Sequence, residues 1–118
     1  MKTDPLKFHR MTFSKVYPAY VAKANKKGRT QEEVDQIIYR LTGYDQVWLQ
    51  VQIDHHVDFK SFFDQAPRFN PLADKITGSI CGYRISEITD PLVKKVRYLD
   101  KLIDELAQGK TMDKILRR

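Results

Sequence analysis

Residues 90–108, DPLVKKVRYLDKLIDELAQ, decide how the chain folds. Apolar side chains recur at Leu92, Val96, Leu99, Ile103 and Leu106, and Val93 and Leu102 widen the stripe. Steps of three and four place them on one face of a 3.6-residue helix. Asp90 can accept from the free N–H groups of the first turn, and Pro91 stands at the first helical position, where a missing donor costs nothing. Gly109 supplies a left-handed stop. Lys94, Arg97, Lys101, Asp104 and Glu105 fall on the other side, which the pattern assigns to water. The stretch therefore predicts a long amphipathic helix on which the rest of the chain packs.

The preceding segments read as shorter helices. Thr30 with Glu33 three residues on is a capping box, followed by the stripe Val34, Ile37, Ile38 and Leu41 and a stop at Gly43. Asp45 caps QVWLQVQID (46–54), whose Val47, Trp48, Leu49, Val51 and Ile53 cover more than half of the circumference. A short helix of that kind is expected at the centre of a fold; the alternation in WLQVQI would also suit a strand. Asp58 caps FKSFFDQA (59–66), and Pro67 ends it. Nearer the N-terminus, Pro18 suits the first turn of a helix over 17–27 that Gly28 closes, with Tyr17, Val21 and Ala24 on one face.

Between 68 and 88 the signals are mixed. Asn70-Pro71 resembles an N-cap and first-turn proline, and Leu72, Ile76 and Ile80 step by four. These predict a helix to about Cys81, ended by Gly82, in spite of Gly78, which costs about 1 kcal/mol relative to Ala inside a helix. Residues 83–88 read as a short strand or a turn. Residues 111–116 form a last short helix, with Met112, Ile115 and Leu116 folding back onto the long one. Residues 1–11 read as a flexible arm that Phe8 and Met11 could tether. Lys75-Ile-Thr-Gly78 echoes Arg40-Leu-Thr-Gly43, but two helices ending in like turns produce such an echo without duplication. The fold expected is mainly α, a compact single domain over 1–118. Five to seven helices pack around the long C-terminal one, with a short β element near 83–88.

A chain of 118 residues with 42% hydrophobic and 31% charged residues can bury one modest core, which excludes a disordered tail. No apolar run approaches the ~18–20 residues of a membrane span. MKTDPLKFHRM lacks the apolar stretch of a secretory signal. The single cysteine, Cys81, excludes an internal disulfide and fits a reducing cytoplasm. The net charge of +6 is unevenly placed. Residues 1–30 hold eight Lys/Arg against Asp4, a net of +7, whereas residues 31–66 hold two against seven acids, a net of −5. A basic end beside an acidic middle can attract a polyanion such as nucleic acid, or a second copy of the same chain as a homodimer.

For nucleic acid, the candidate contacts are Lys23, Lys26, Lys27 and Arg29 with Tyr17 or Tyr20 beside them, acting as nonspecific phosphate ligands and stacking rings. The competing account is that cations at a helix C-terminus complement its dipole, and it carries more weight. The hairpin Ile38 to Leu49 resembles phosphate-contacting helix pairs. However, Asp45 stands where such hairpins carry a glycine, and an acid there repels phosphate, so a plain corner is favoured.

Asp54-His55-His56-Val57-Asp58 is the strongest metal-like cluster, but adjacent histidines on a helix point about 100° apart, and Asp58 is better used as a cap. His9 is remote. Cys81, between Ile80 and Gly82, is expected as a buried, inert thiol. Gly78-Ser-Ile-Cys-Gly82 lacks the lysine of a phosphate loop, and no nucleophile elbow is present. Asp100 and Asp104 are expected as solvated carboxylates. No catalytic residue, metal or cofactor is assigned, and a non-enzymatic binding protein is favoured over an enzyme.

Five blocks of the chain carry a family resemblance: VYPAYVAKANKKGRTQEEVDQII, LTGYDQ, FFDQAP, NPLADKITGSICGYRISEI and DPLVKKVRYLDKLIDELAQGKTMDKIL. Together they span nearly the whole sequence. They resemble a family of small bacterial proteins known as domain of unknown function 2200. The resemblance implies a stand-alone cytoplasmic bacterial protein and brings no activity, cofactor or site residue with it.

Overall fold

The long helix begins where its cap says it should. The Asp90 carboxylate accepts from the Val93 N–H at 3.0 Å, and helix α5 runs Pro91–Ala107, followed by Gly109 at φ +95°. The computed structural model describes residues 10–117. Within them five further helices surround α5 or extend from it: α1 (Phe13–Lys26), α2 (Gln31–Thr42), α3 (Gln46–Asp54), α4 (Phe59–Asp64) and α6 (Met112–Ile115). Strands β1 (Ser79–Ile80) and β2 (Tyr83–Arg84) form an antiparallel hairpin between α4 and α5, pairing Ser79 with Arg84 and Ile80 with Tyr83. The architecture is mainly α, as expected. Helix α5 packs against α1, α2, α4, α6 and β1, so its apolar stripe is the middle of the core.

Caps do most of the local specification. Thr30 and Glu33 form the reciprocal capping box of α2, and Asp45, Asp58 and Thr111 accept from the N3 amides of α3, α4 and α6. Ile115 and Leu116 are buried against the core, as predicted for the last turn. Aromatic rings fill the far end. Phe13 stacks on Phe62 with centroids 4.0 Å apart, Phe59 meets Phe13 edge-on, and the Tyr44 hydroxyl donates to the Phe62 carbonyl at 2.7 Å.

Four expectations are corrected. Helix α1 starts at Phe13, a turn before the position that Pro18 suggested, and Pro18 lies inside it. Its start is set by backbone pairing: the Phe13 N–H donates to the Val57 carbonyl at 2.9 Å and the Phe59 N–H to the Met11 carbonyl at 3.0 Å. The helix expected from Asn70 to Cys81 is replaced by a 3-10 turn (Ala73–Lys75) and the hairpin. Gly78 sits at φ +93°, which a right-handed helix does not admit, and Leu72 at the head of the supposed stripe is 41% exposed. The echoing glycines therefore differ in role: Gly43 ends α2, whereas Gly78 leads into β1. Glu105 is buried rather than solvated, held by Arg117 at 3.2 Å and Lys110 at 3.4 Å. Helix α3 is peripheral rather than central: it buries Leu49 and Gln52 and turns Val47 and Trp48 outward. Of the N-terminal arm expected over 1–11, residues 1–9, with Phe8 and His9, lie outside the described residues, and Met11 packs against the core.

Candidate functional site

Helix α1 and the turn after it carry the basic and aromatic residues singled out for nucleic acid, and the fold engages most of them internally. The Tyr17 hydroxyl donates to the Asp35 carboxylate and accepts from the Gln31 amide at 3.0 Å. Tyr20 is buried, and its hydroxyl donates to Asp100 at 2.6 Å. Burial, with Asp100 beside it, pushes the Tyr20 phenol well above its ordinary range. Lys23 reaches Asp104 at 3.2 Å. Arg29 acts as a clamp: it grips Glu33 at 2.7 Å and donates to the Leu106 and Lys110 carbonyls at 3.2 and 2.9 Å, tying the start of α2 to the end of α5 and the segment after it. Lys26 and Lys27 are exposed, with no ion-pair partner among the described residues. Of the six residues, those two present free charge to solvent.

Asp100 is not the solvated carboxylate its helix face suggested. It accepts from Tyr20 and from Arg97 at 3.0 Å, and the Arg97 guanidinium lies over the Tyr83 ring of the hairpin. Burial raises its carboxyl above the ordinary range, and the Tyr20 and Arg97 bonds oppose that rise. This network ties α1, α5 and the hairpin together. The one hint in the sequence is that Arg97 and Asp100 stand three residues apart.

Cys81 is exposed, not buried. It occupies the two-residue turn of the hairpin with Gly82, both at positive φ (+54° and +82°), the pattern of a type I′ turn. His55 and His56 are exposed at the end of α3, where His56 Nδ1 lies 2.9 Å from Ser14 Oγ, and Asp58 is used as the cap of α4. Among the described residues no group of three His, Cys, Asp or Glu is placed to hold a metal ion. At the α2–α3 corner the Asp45 carboxylate accepts the Trp48 N–H at 2.8 Å, filling the place a phosphate would take.

Among the described residues, the most exposed large apolar side chains are on α3. Val47 is 68% and Trp48 56% exposed, one helical turn before the half-buried Val51, with Asp45 and Asp54 exposed at the two ends. A separate cleft of about 370 Å³ opens beside the α2–α3 corner, between the last turn of α2 and the segment after α4. Arg40 and Arg68 both line it.

The fold and these surfaces define a mainly α protein with no described helix long and apolar enough to cross a membrane. Residues 7–117 match a family described as an uncharacterized protein conserved in bacteria, domain of unknown function 2200, and the chain belongs to that family. It is also similar to the crystal structure of uncharacterized protein SP1917, at 43% identity and a TM-score of 0.89, over 98% of this chain and 95% of that one. No curated protein matches it at a significant level.

Proposed function

We propose that this protein is a small, non-enzymatic, cytoplasmic binding module, and that its outward α3 face meets a second copy of the chain. The observation that carries the proposal is the exposure of Val47 and Trp48 side by side on a helix whose opposite face is already buried. Covering those two side chains contributes on the order of 3–5 kcal/mol, less than the roughly 8 kcal/mol of a micromolar complex. Charge favours the same contact. The segment bearing α3 carries −5 and the first thirty residues carry +7. Helices α1 and α3 pack against each other in one protomer. A two-fold axis can therefore set each α3 against the basic α1 segment of the other copy in two equivalent contacts.

Trp48 is the single tryptophan, so its fluorescence reports this face alone. Sedimentation velocity from micromolar to near-millimolar protein should show a reversible dimer, accompanied by a blue shift of the tryptophan emission. The double variant Val47→Ser, Trp48→Ser should stay monomeric, with the unfolding midpoint of dilute, monomeric wild type, since both side chains are mostly exposed. A wild-type monomer at every concentration would end this reading.

Contact with nucleic acid is the second reading, supported by the free Lys26 and Lys27. Lys23 and Arg29 join it only by releasing Asp104 and Glu33, and Tyr17 and Tyr20 only by releasing Asp35 and Asp100. Filter binding with mixed DNA and RNA tests it. Binding at low salt that weakens steeply with added salt supports the reading, and binding absent at low salt removes it.

A further inference from the structure

Arg29, Arg97 and Arg117 are each held by a carboxylate. Arg40 and Arg68 are not: among the described residues neither guanidinium has an ion-pair or side-chain hydrogen-bond partner, and both line the cleft of about 370 Å³. The lining contains no acid. Asn70, also in the lining, uses its side-chain oxygen to accept the Leu72 N–H at 2.9 Å, which leaves its NH₂ as a further donor. Two arginines without a carboxylate partner thus line one cleft whose own lining holds no acid. We propose that it binds the phosphate group of a small phosphate monoester.

Two features narrow the class. A carboxylate is satisfied by one guanidinium fork, whereas a phosphate dianion has three oxygens and can take forks from two arginines on different segments. The half-buried Tyr39 and the exposed Leu72, both in the lining, add an apolar wall against which a ring or short hydrocarbon body can lie. The frame is already rigid. The Arg68 N–H donates to the Thr42 carbonyl at 3.0 Å and the Asn70 N–H to the Leu41 carbonyl at 2.8 Å, fixing this segment to the end of α2. A Cβ on Gly43 would meet the Arg68 backbone nitrogen at 2.7 Å, so the two segments are at closest approach. A complementarity of Arg40 with the helix dipole accounts for Arg40 but leaves Arg68 unexplained.

Titration calorimetry of the full chain tests the site with phenyl phosphate, inorganic phosphate, benzoate and a short oligothymidylate. Saturable one-to-one binding is expected, tightest for phenyl phosphate, weaker for inorganic phosphate and weakest for benzoate. Arg40→Gln and Arg68→Gln should each weaken phenyl phosphate by roughly tenfold or more, with unchanged circular dichroism and unfolding midpoint. Lys26→Gln with Lys27→Gln should leave it unaltered. Any of four results overturns the proposal: no saturable binding of phenyl phosphate, benzoate bound as tightly, arginine variants that bind like wild type, or an equal loss in the lysine variant. Oligothymidylate bound more tightly than phenyl phosphate through the same arginines would assign the cleft to a nucleic-acid backbone and would also overturn it. The dimer reading stands or falls separately, on Val47 and Trp48.

Discussion

Gly43 shows how much one position can decide. Its φ of +81° closes α2 in the left-handed region, and Arg68 crosses so near that no Cβ fits. Gly43→Ala should therefore destabilise the protein by at least about 2 kcal/mol in urea unfolding, where an ordinary surface change costs under about 0.5. Tyr44, one residue on, is buried with its hydroxyl on the Phe62 carbonyl, and burial pushes its phenol up to about 12 from an ordinary 10.0. In the unfolded chain that phenol ionises near 10 while the native one stays protonated. The stability linked to Tyr44 is thus complete below pH 10 and lost as the pH rises toward 12. Thermal unfolding of wild type against Tyr44→Phe, followed from neutral to strongly alkaline pH, should show the smaller alkaline loss in the variant. Asp100 has the same sign at the acid end. Its raised carboxyl adds stability below the ordinary 3.8 that is lost as the pH rises through its native value, and Asp100→Asn should flatten that part of the profile.

Among the elements, the capped helices were legible and the hairpin only in part: the β element expected near 83–88 is β2 (Tyr83–Arg84), whereas its partner strand lies in a stretch that read as helix. Thr30, Asp45, Asp58 and Asp90 act on amides three residues away, so their roles are written in short spacings that no distant contact alters. The segment 70–84 follows other rules. Ile76 and Ile80 are buried at helical spacing, yet each is buried from non-helical backbone, because Gly78, Cys81 and Gly82 all adopt positive φ. Cys81 is the informative residue: a side chain at φ +54° is strained unless it is Gly, Asn or Asp. Cys81→Asn should therefore raise the unfolding midpoint, by up to about 1 kcal/mol of stability. The wild-type thiol should react with a thiol reagent in the native protein, without denaturant, because it is exposed.

On the scale of the whole molecule, the charge asymmetry acts twice. Part of the basic excess is neutralised internally, since Lys23 and Arg29 of the first thirty residues find Asp104 and Glu33. Among the described residues, Arg10, Lys15, Lys26 and Lys27 face solvent. Self-association through α3 should weaken as salt is raised, because exposed charges beyond about 8–10 Å are screened at physiological ionic strength. Sedimentation at low and high salt measures this, and a dimer that strengthens with salt would point to a purely apolar contact.

Periodicity and caps, which depend on neighbours within four residues, determined from the sequence alone that the chain is mainly α, that α5 is its axis, and where five of its helices begin or end. Which side of an element meets the rest depends on partners far along the chain. Only the tertiary structure could turn Trp48 outward, bury Glu105 against Arg117, engage Tyr20 with Asp100, or bring Arg40 and Arg68 into the lining of one cleft that contains no acid. The physical reason is range: hydrogen-bonded turns close locally, whereas burial and charge pairing are settled only when distant segments pack.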